Sequence, residues 1–504
     1  MSHNPGPIVE FYYDISCPYA YIASTKISSL ASRTSAHIIW RPVLLGAIYR
    51  ATLAPQGAGG SASDIFNSTK KSITSRALQR TITRHGIPFR QPKFHPQKTT
   101  AALRLVYFVR ESWRERLTRE LFRLYWVENV EGVGRKEVLR RAVERCEFDG
   151  RGDGDDDGDG EEVKRVLKAI EDGSFEGEEQ RRQLEISTDL AVQRGAPGVP
   201  SFWIPEEIWR DSASTTNPTG ESRKGRLYWG QDRMHFVEAV LLGLNNTSQE
   251  RQSGDTTTFD QALGWTQLAS LHRRFNNSSN SSNNNNNSRR NLTIDMKPFL
   301  LGILFREIGA PNVPMQAMSE QKRKYMQRDH GDWVRWWNAV SLQEGREELD
   351  GKIEFQWPEN FPIRTTNLLR AVLVEERLCG VLYRACWERN LNMSDDKVLK
   401  QVIAEAGFDA DAILQAANEE KIKQELRLRT QEAKDAGICG VPTYRVFRRK
   451  LGQGESDWKQ FGDLVWGQDE IAVVEDLIAG WDGTTTTTTT SGVENSSSSS
   501  HSKL

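Results

Sequence analysis

The feature that most limits the possible folds is an internal repeat. Arg41-Pro42-Val43-Leu44-Leu45-Gly46 returns as Lys297-Pro298-Phe299-Leu300-Leu301-Gly302. Pro96, Thr99-Thr100 and Leu103-Arg104 return as Pro362, Thr365-Thr366 and Leu369-Arg370. Leu121-Phe122-Arg123 and Trp126 return as Leu382-Tyr383-Arg384 and Trp387. Gly198-Val199-Pro200-Ser201-Phe202 returns as Gly440-Val441-Pro442-Thr443-Tyr444, and Trp229-Gly230-Gln231-Asp232 as Trp466-Gly467-Gln468-Asp469. Matches that keep their order over this length mean two tandem copies of one domain. A chain of 504 residues has room for both, since a domain takes roughly 100–200 residues.

The chemistry of the first copy gathers at Phe11 to Tyr21, FYYDISCPYAY. Ile8, Val9, Phe11 and Tyr12 read as a strand, followed by a turn and a helix that starts near Pro18. Proline suits the first helical turn, where its missing N–H costs nothing. Cys17 then stands at a helix N-terminus, whose unpaired N–H groups favour negative charge. Such a position can lower a thiol pKa into the range of about 3.5 to 7.5, so a thiolate near neutral pH is expected. The competing reading is a buried, inert cysteine.

Further along, His37 to Leu45 reads as a strand and residues 51 to 63 as a small-residue loop. Helical patterns run from Asp64 to His85, over Thr99 to Val130 as two helices, and over Lys136 to Phe148. Residues 149 to 162, acidic and glycine-rich, read as a solvated insertion; they lack the ligand spacing of an EF-hand loop. Helix resumes from Glu162 to Arg194 with a break at Gly173. Val199-Pro200 is a candidate cis-proline before a strand, and Arg226 to Trp229 a second strand before a helix to Leu244. The order is β-α-β, a helical block over about 64–194, then β-β-α.

We divide the chain into a first domain at 1–247, an Asn- and Ser-rich linker at 248–291, a second domain at 292–482 with a weak start at 255–275, and a Thr/Ser tail at 483–504. In the second copy Leu263 and Gly264 align with Cys17 and Pro18, and Glu470 stands where Arg233 stands. The second copy therefore keeps the scaffold without the sulfur.

Composition excludes some classes. The formal net charge of −1 gives no electrostatic case for nucleic acid or an anionic membrane. No run approaches the roughly 20 apolar residues of a membrane helix, and the N-terminus lacks a signal-peptide pattern. Cys17, Cys146, Cys379, Cys386 and Cys439 are odd in number and not spaced as metal ligands, so a reducing compartment and no metal site are expected. Cys379 and Cys386 share a helix face and read as core. The terminal Ser502-Lys503-Leu504 is a peroxisomal matrix address, to be read by an import receptor.

Tyr13-Asp14-x-x-Cys17-Pro18-Tyr19, Arg41-Pro42 to Gly46, Gly198-Val199-Pro200 and Gly230-x-Asp232-Arg233 together resemble the kappa-class glutathione transferases and the related 2-hydroxychromene-2-carboxylate isomerases. These are α/β proteins with a thioredoxin-like fold and an inserted all-helical domain, like the DsbA oxidoreductases. The resemblance covers about 7–244 and 292–481, more weakly 255–275. It implies glutathione as cofactor and a small electrophile or disulfide as second substrate. It also implies a catalytic Cys17 beside Pro18 and Pro200, with the Val199 backbone on the cysteinyl part of glutathione. Asp232 would take the γ-glutamyl ammonium, Arg233 a carboxylate, and Lys70 or Lys71 the glycyl carboxylate. The two lysines read equally well as a solvated helix face. The family asparagine has no match in the first copy, where Ala54 lies nearby; the second copy offers Asn312 and Lys322.

Kappa and isomerase relatives usually carry serine where Cys17 stands, and DsbA-like enzymes a second cysteine where Ala20 stands. An intramotif disulfide is therefore excluded, and a monothiol mechanism through a mixed disulfide stays open. The resemblance implies a kappa-type transferase that conjugates glutathione or exchanges thiols. The alternatives are an isomerase, a DsbA-like disulfide oxidoreductase or a non-catalytic scaffold. Some kappa enzymes are peroxisomal. Kappa enzymes are homodimers; two copies in one chain point to an internal pseudo-dimer or to a homodimer of chains.

Overall fold

The computed structural model describes residues 6–148, 158–205, 225–243, 260–276, 292–345, 351–449 and 457–483. The acidic run at 149–157, the Asn-rich core of the linker and the terminal Ser502-Lys503-Leu504 lie outside the described residues.

In the first copy β1 (Ile8–Tyr13) is buried along nearly its whole length, as a central strand covered on both faces must be. It pairs in parallel with β2 (His37–Pro42) across α1 (Pro18–Thr34), and antiparallel with β3 (Ser201–Pro205). Strand β4 (Gly225–Trp229) closes the order β2-β1-β3-β4. Strand β2 stops at Pro42, short of the expected Leu45, because Leu45 already opens the short helix α2 (Leu45–Ala51).

The helical block is α3 (Ser68–Arg84), α4 (Thr100–Phe108), α5 (Glu111–Trp126), α6 (Lys136–Phe148), α7 (Gly158–Asp172) and α8 (Glu178–Gln193). Helix α9 (Met234–Leu241) ends the copy. Sheet and block share one core, in which Phe11 stacks on Phe202 at 5.3 Å and Trp126 donates from Nε1 to the Ile15 carbonyl at 2.8 Å. The chain is the tandem of thioredoxin-like copies that the repeat implied, and Val199-Pro200 and Val441-Pro442 are both cis.

The second copy departs from the first where its sequence match is weakest. Its α10 (Asp260–Asn276) is the counterpart of α1 and packs on the last helix, Ile471–Ala479, through Leu268, Leu271 and Phe275. So part of the stretch expected as linker is a folded helix. Among the described residues the second copy has no parallel strand pair; its central strands reduce to Thr443–Tyr444 against Val465–Trp466. The reason lies in the sheet order. An edge strand like β2 bonds only to β1, so with the β1 sequence decayed, residues 292–300 have no strand beside them among the described residues, and side chains serve instead: Asn276 bonds the Leu292 backbone and Thr430 the Leu300 N–H.

The two copies meet through their long helices, α3 and its counterpart α12 (Glu320–Gln343). Tyr325 and Trp333 of α12 enter the core of the first copy, and Ile73 of α3 enters a cluster with Leu304, Cys439 and Leu464 of the second. Each helix thus buries an apolar face in the other copy. No helix among the described residues is long and apolar enough to cross a membrane.

Candidate active site

Cys17 is the N-cap of α1, and Pro18 begins its first turn. The loop that delivers the thiol is pinned by Asp14. Its carboxylate accepts from the Ser16 N–H and hydroxyl, the Leu45 N–H and the Thr99 hydroxyl, all within 3.0 Å. One buried side chain therefore ties the loop to α2 and to the helical block. A buried carboxylate needs this many donors, since desolvation raises its pKa and only the hydrogen bonds oppose that.

The Cys17 thiol donates to the Val199 carbonyl at 3.2 Å, on the cis peptide before Pro200. Burial pushes its pKa up to about 12, with the nearby Asp14 charge adding to the rise. The N–H groups of Ala20 and Tyr19 pull the other way, as a helix N-terminus should, but do not win. The expected neutral-pH thiolate is thus corrected: at 6 % exposure the desolvation cost exceeds the helix-end effect. Ala20, at the position of a second cysteine, is fully buried, and the described cysteines form no disulfide.

The expected charged ligands do not all reach this thiol. Asp232 is exposed and bonds Arg233 at 2.6 Å. Arg233 is buried and spends its guanidinium across the seam. It donates to both oxygens of Asp329 at 2.9 Å and to Asp469 at 3.3 Å. Burial works against its charge, but Asp232, Asp329 and Asp469 outweigh it and hold the pKa well above the ordinary value. Arg233 is thus an anchor between copies, not a free cation for a ligand carboxylate.

Lys70 faces groups of the second copy, with the Cys439 thiol among those that act on its charge. Its Nζ lies 4.3 Å from the Phe66 ring centroid and 5.5 Å from that of Trp466, in the second copy. Lys71 is exposed. The lysine that overlooks the first copy is Lys322 of α12, 5.2 Å from the Trp229 centroid. Trp229 in turn flanks the cis-proline loop: its indole N lies 3.2 Å from where a Cβ on Gly198 would sit, and the Gly230 N–H donates to the Pro200 carbonyl at 2.9 Å.

The second copy packs α10 tightly on its own cis-proline at Gly264, the position aligned with Pro18. A Cβ on Gly264 would come within 2.7 Å of the Pro442 ring and 2.8 Å of the Tyr444 hydroxyl. Leu263, aligned with Cys17, lies inside α10 and not before it.

Residues 8–241 and 273–479 match the model of the DsbA-like thioredoxin domain. The chain belongs to that family. A relative of this DsbA-like chain is a 2-hydroxychromene-2-carboxylate isomerase of Sphingobium xenophagum, 22 % identical over 235 residues, 46 % of this chain and 97 % of that protein. Among solved structures, a 2-hydroxychromene-2-carboxylate isomerase is 18 % identical, with a TM-score of 0.33, over 47 % of this chain and 95 % of its own. A probable DsbA oxidoreductase from Streptomyces coelicolor is 15 % identical, with a TM-score of 0.31, over 50 % and 95 %. The cytosolic disulfide reductase DsbM from Pseudomonas aeruginosa is 14 % identical, with a TM-score of 0.29, over 47 % and 96 %.

Sequence reasoning missed two groups at the DsbA-like site. Tyr49 of α2 lies close enough that the Cys17 charge raises its phenol pKa further, after burial. Tyr325 of α12 accepts from the Trp229 N–H at 2.9 Å and donates to Asp329 at 3.1 Å. The signal for Tyr325 lay in the repeat: Ile73, its counterpart in α3, is apolar, and only a polar contact peculiar to one side of the seam calls for tyrosine.

Proposed function

We propose that the first copy carries a glutathione-dependent thiol site of kappa type. The observation that carries this reading is the Cys17 thiol resting on the carbonyl that precedes Pro200. In this closed state the thiol is neutral and shielded. A ligand sulfur that takes its place on the Val199 backbone frees Cys17 either to donate a hydrogen bond to a bound thiolate or to exchange with a disulfide. In the exchange step, Cys17 attacks one sulfur of a disulfide as it gives up its proton, the Cys17–sulfur bond forms as the disulfide bond breaks, and the expelled half takes up a proton and leaves as a thiol. Ala20 leaves no neighbour to resolve the mixed disulfide, so a second glutathione must do so.

Calorimetric titration of the full chain with glutathione tests the reading. Binding of one glutathione per chain is expected; absence of binding overturns it. Oxidised glutathione then separates the two chemistries. Cys17→Ser is expected to retain conjugation to a test electrophile and to lose the glutathionyl adduct seen by mass spectrometry. Loss of both activities together would reject the thiolate-holding role.

The isomerase relative favours a second reading, in which glutathione is a returning cofactor for an aromatic degradation intermediate. Incubation with 2-hydroxychromene-2-carboxylate and catalytic glutathione decides it by the ultraviolet spectrum of the product.

A further inference from the structure

We propose that the second copy carries a membrane-contact surface: the hairpin of Phe447–Arg448 and Lys459–Gln460, with Trp481 at its edge, seats on a lipid bilayer with anionic headgroups. The surface lies apart from Cys17, and its test is independent of the thiol reading given above.

The hairpin pairs Phe447 with Gln460 and Arg448 with Lys459, and all of these residues are exposed. Arg448 and Lys459 are thus like charges directly opposite each other, an arrangement that destabilises a strand pair. Arg445 and Arg449 are further exposed cations, and Arg445 spends its hydrogen bonds on the neutral Gln460, at 3.0 and 3.2 Å. Among the described residues none of these cations has an ion pair. Exposed arginines elsewhere meet carboxylates: Arg181 meets Glu185 at 2.9 Å, Arg182 meets Glu179 at 2.8 Å, and Arg427 meets Glu420 at 3.1 Å. Within 444–449 and 457–461 the only acid is Asp457. The formal net charge of −1 for the whole chain averages this concentration away.

The cations are interleaved with aromatic rings. The Arg445 guanidinium lies 5.0 Å from the Phe447 centroid, that of Arg448 4.9 Å from Phe461, and that of Arg449 5.2 Å from Trp458. A Cβ on Gly480 would fall 2.6 Å from Arg448 Nη1, so the end of the last helix, and with it Trp481, sits against the hairpin. Phe447, Trp458 and Trp481 are 44 %, 50 % and 41 % exposed. Rings left in water beside unmatched cations suit a bilayer surface. Tryptophan prefers the headgroup level, where its ring meets the apolar boundary and its N–H meets polar groups. Arginine lays its stem along the rings and offers its guanidinium to phosphate. Single-stranded nucleic acid asks for open ring faces on which bases stack, and here arginines lie over Phe447, Phe461 and Trp458.

The experiment cosediments the full chain with vesicles of phosphatidylcholine alone and of an equal mixture of phosphatidylcholine and phosphatidylserine. The variants are Arg449→Glu with Lys459→Glu, Trp458→Ala with Trp481→Ala, and, as a control on α8, Arg181→Glu with Arg182→Glu. The wild type is expected to bind the phosphatidylserine vesicles, to leave them as salt is raised, and to ignore phosphatidylcholine. Each cation near an anionic surface contributes about fivefold to partitioning, so Arg449→Glu with Lys459→Glu is expected to weaken binding about twentyfold or more. That variant also removes the Arg448–Lys459 repulsion and is expected to melt no lower than the wild type, which separates lost binding from lost folding. Brominated lipid is expected to quench wild-type tryptophan fluorescence, and to quench Trp458→Ala with Trp481→Ala less. The α8 variant binds as the wild type does.

Absence of binding to phosphatidylserine vesicles overturns the proposal, as does undiminished binding by Arg449→Glu with Lys459→Glu. An equal loss in the α8 variant overturns it too, because net charge and not the hairpin would then be read. Binding of oligothymidylate in place of vesicles overturns it in favour of a nucleic-acid surface.

Discussion

Cys17 shows how two local effects compete at one residue. Its helix-end position was legible from Cys17-Pro18, but its burial was not, because burial is set by Val199 and Tyr49, far away in the chain. With the pKa at about 12, alkylation by iodoacetamide is expected to be slow at pH 7 and to rise about tenfold per pH unit towards pH 10. A flat profile across that range, read by mass spectrometry, would show a preformed thiolate. Glu470 is the second residue with a reach beyond itself. Burial first, then Asp469 and Asp232, raise its pKa from 4.5 to about 7, against the opposing charges of Arg80 and Arg84. Its folded pKa lies above the unfolded one, so its contribution to stability is complete below pH 4.5 and is lost as pH rises to about 7. Glu470→Gln is expected to match the wild type at pH 4.5 and to melt a few degrees higher at pH 8. Equal melting at both values, by circular dichroism, would count against a buried, strained carboxyl.

At the scale of elements, the loop between β1 and α1 and the cis-proline loop form the site, and Asp14 couples them to the helical block through Thr99. In the second copy α10 itself lies against Pro442, at Gly264. Gly264→Cys is therefore expected to restore no thiol site. Overpacking against the Pro442 ring and the Tyr444 hydroxyl should cost roughly 1–3 kcal/mol, read as a lower denaturation midpoint; a reactive second thiol with unchanged stability would contradict this. Helix α12 has gained what its counterpart lacks. Asp329 receives Arg233, whereas Glu470 stands in the Arg233 position and faces Arg80 and Arg84 of α3. Arg233→Glu removes the guanidinium from the buried Asp329 and sets a like charge beside it, and is expected to destabilise by about 3–5 kcal/mol. Adding Asp329→Arg should recover part of that loss in a double-mutant cycle, and no coupling between the two positions would rule the pair out as the anchor.

At the scale of the whole molecule, the charges at the seam are asymmetric. Two first copies facing each other would set Ala77 in the place of Asp329, leaving Arg233 of each without the carboxylate that now accepts two of its hydrogen bonds and with only Asp232, the counterpart of Asp469, across the seam. The seam is thus built for one copy of each kind, and the chain is expected to sediment as a monomer with its dimer internal. A stable dimer of chains at micromolar concentration would overturn this. The first copy keeps Cys17 at the head of α1, and the second brings Asp329 to the seam to receive Arg233.

The sequence by itself determined the duplication, the order β-α-β, helical block, β-β-α, the cis-proline and the loss of the second thiol. These are local or collinear signals: a periodicity, a proline, a missing cysteine at a matched position. The helical boundaries Lys136–Phe148 and the break near Gly173 were legible for the same reason. Only the tertiary structure decided which charges hold the copies together. Arg233 and Lys70 sit in motifs that suggest a ligand, yet one is taken by Asp329 and the other faces Trp466. A side chain's electrostatic role depends on what lies within a few ångströms of it. At this seam those neighbours come from the other copy, far off in sequence.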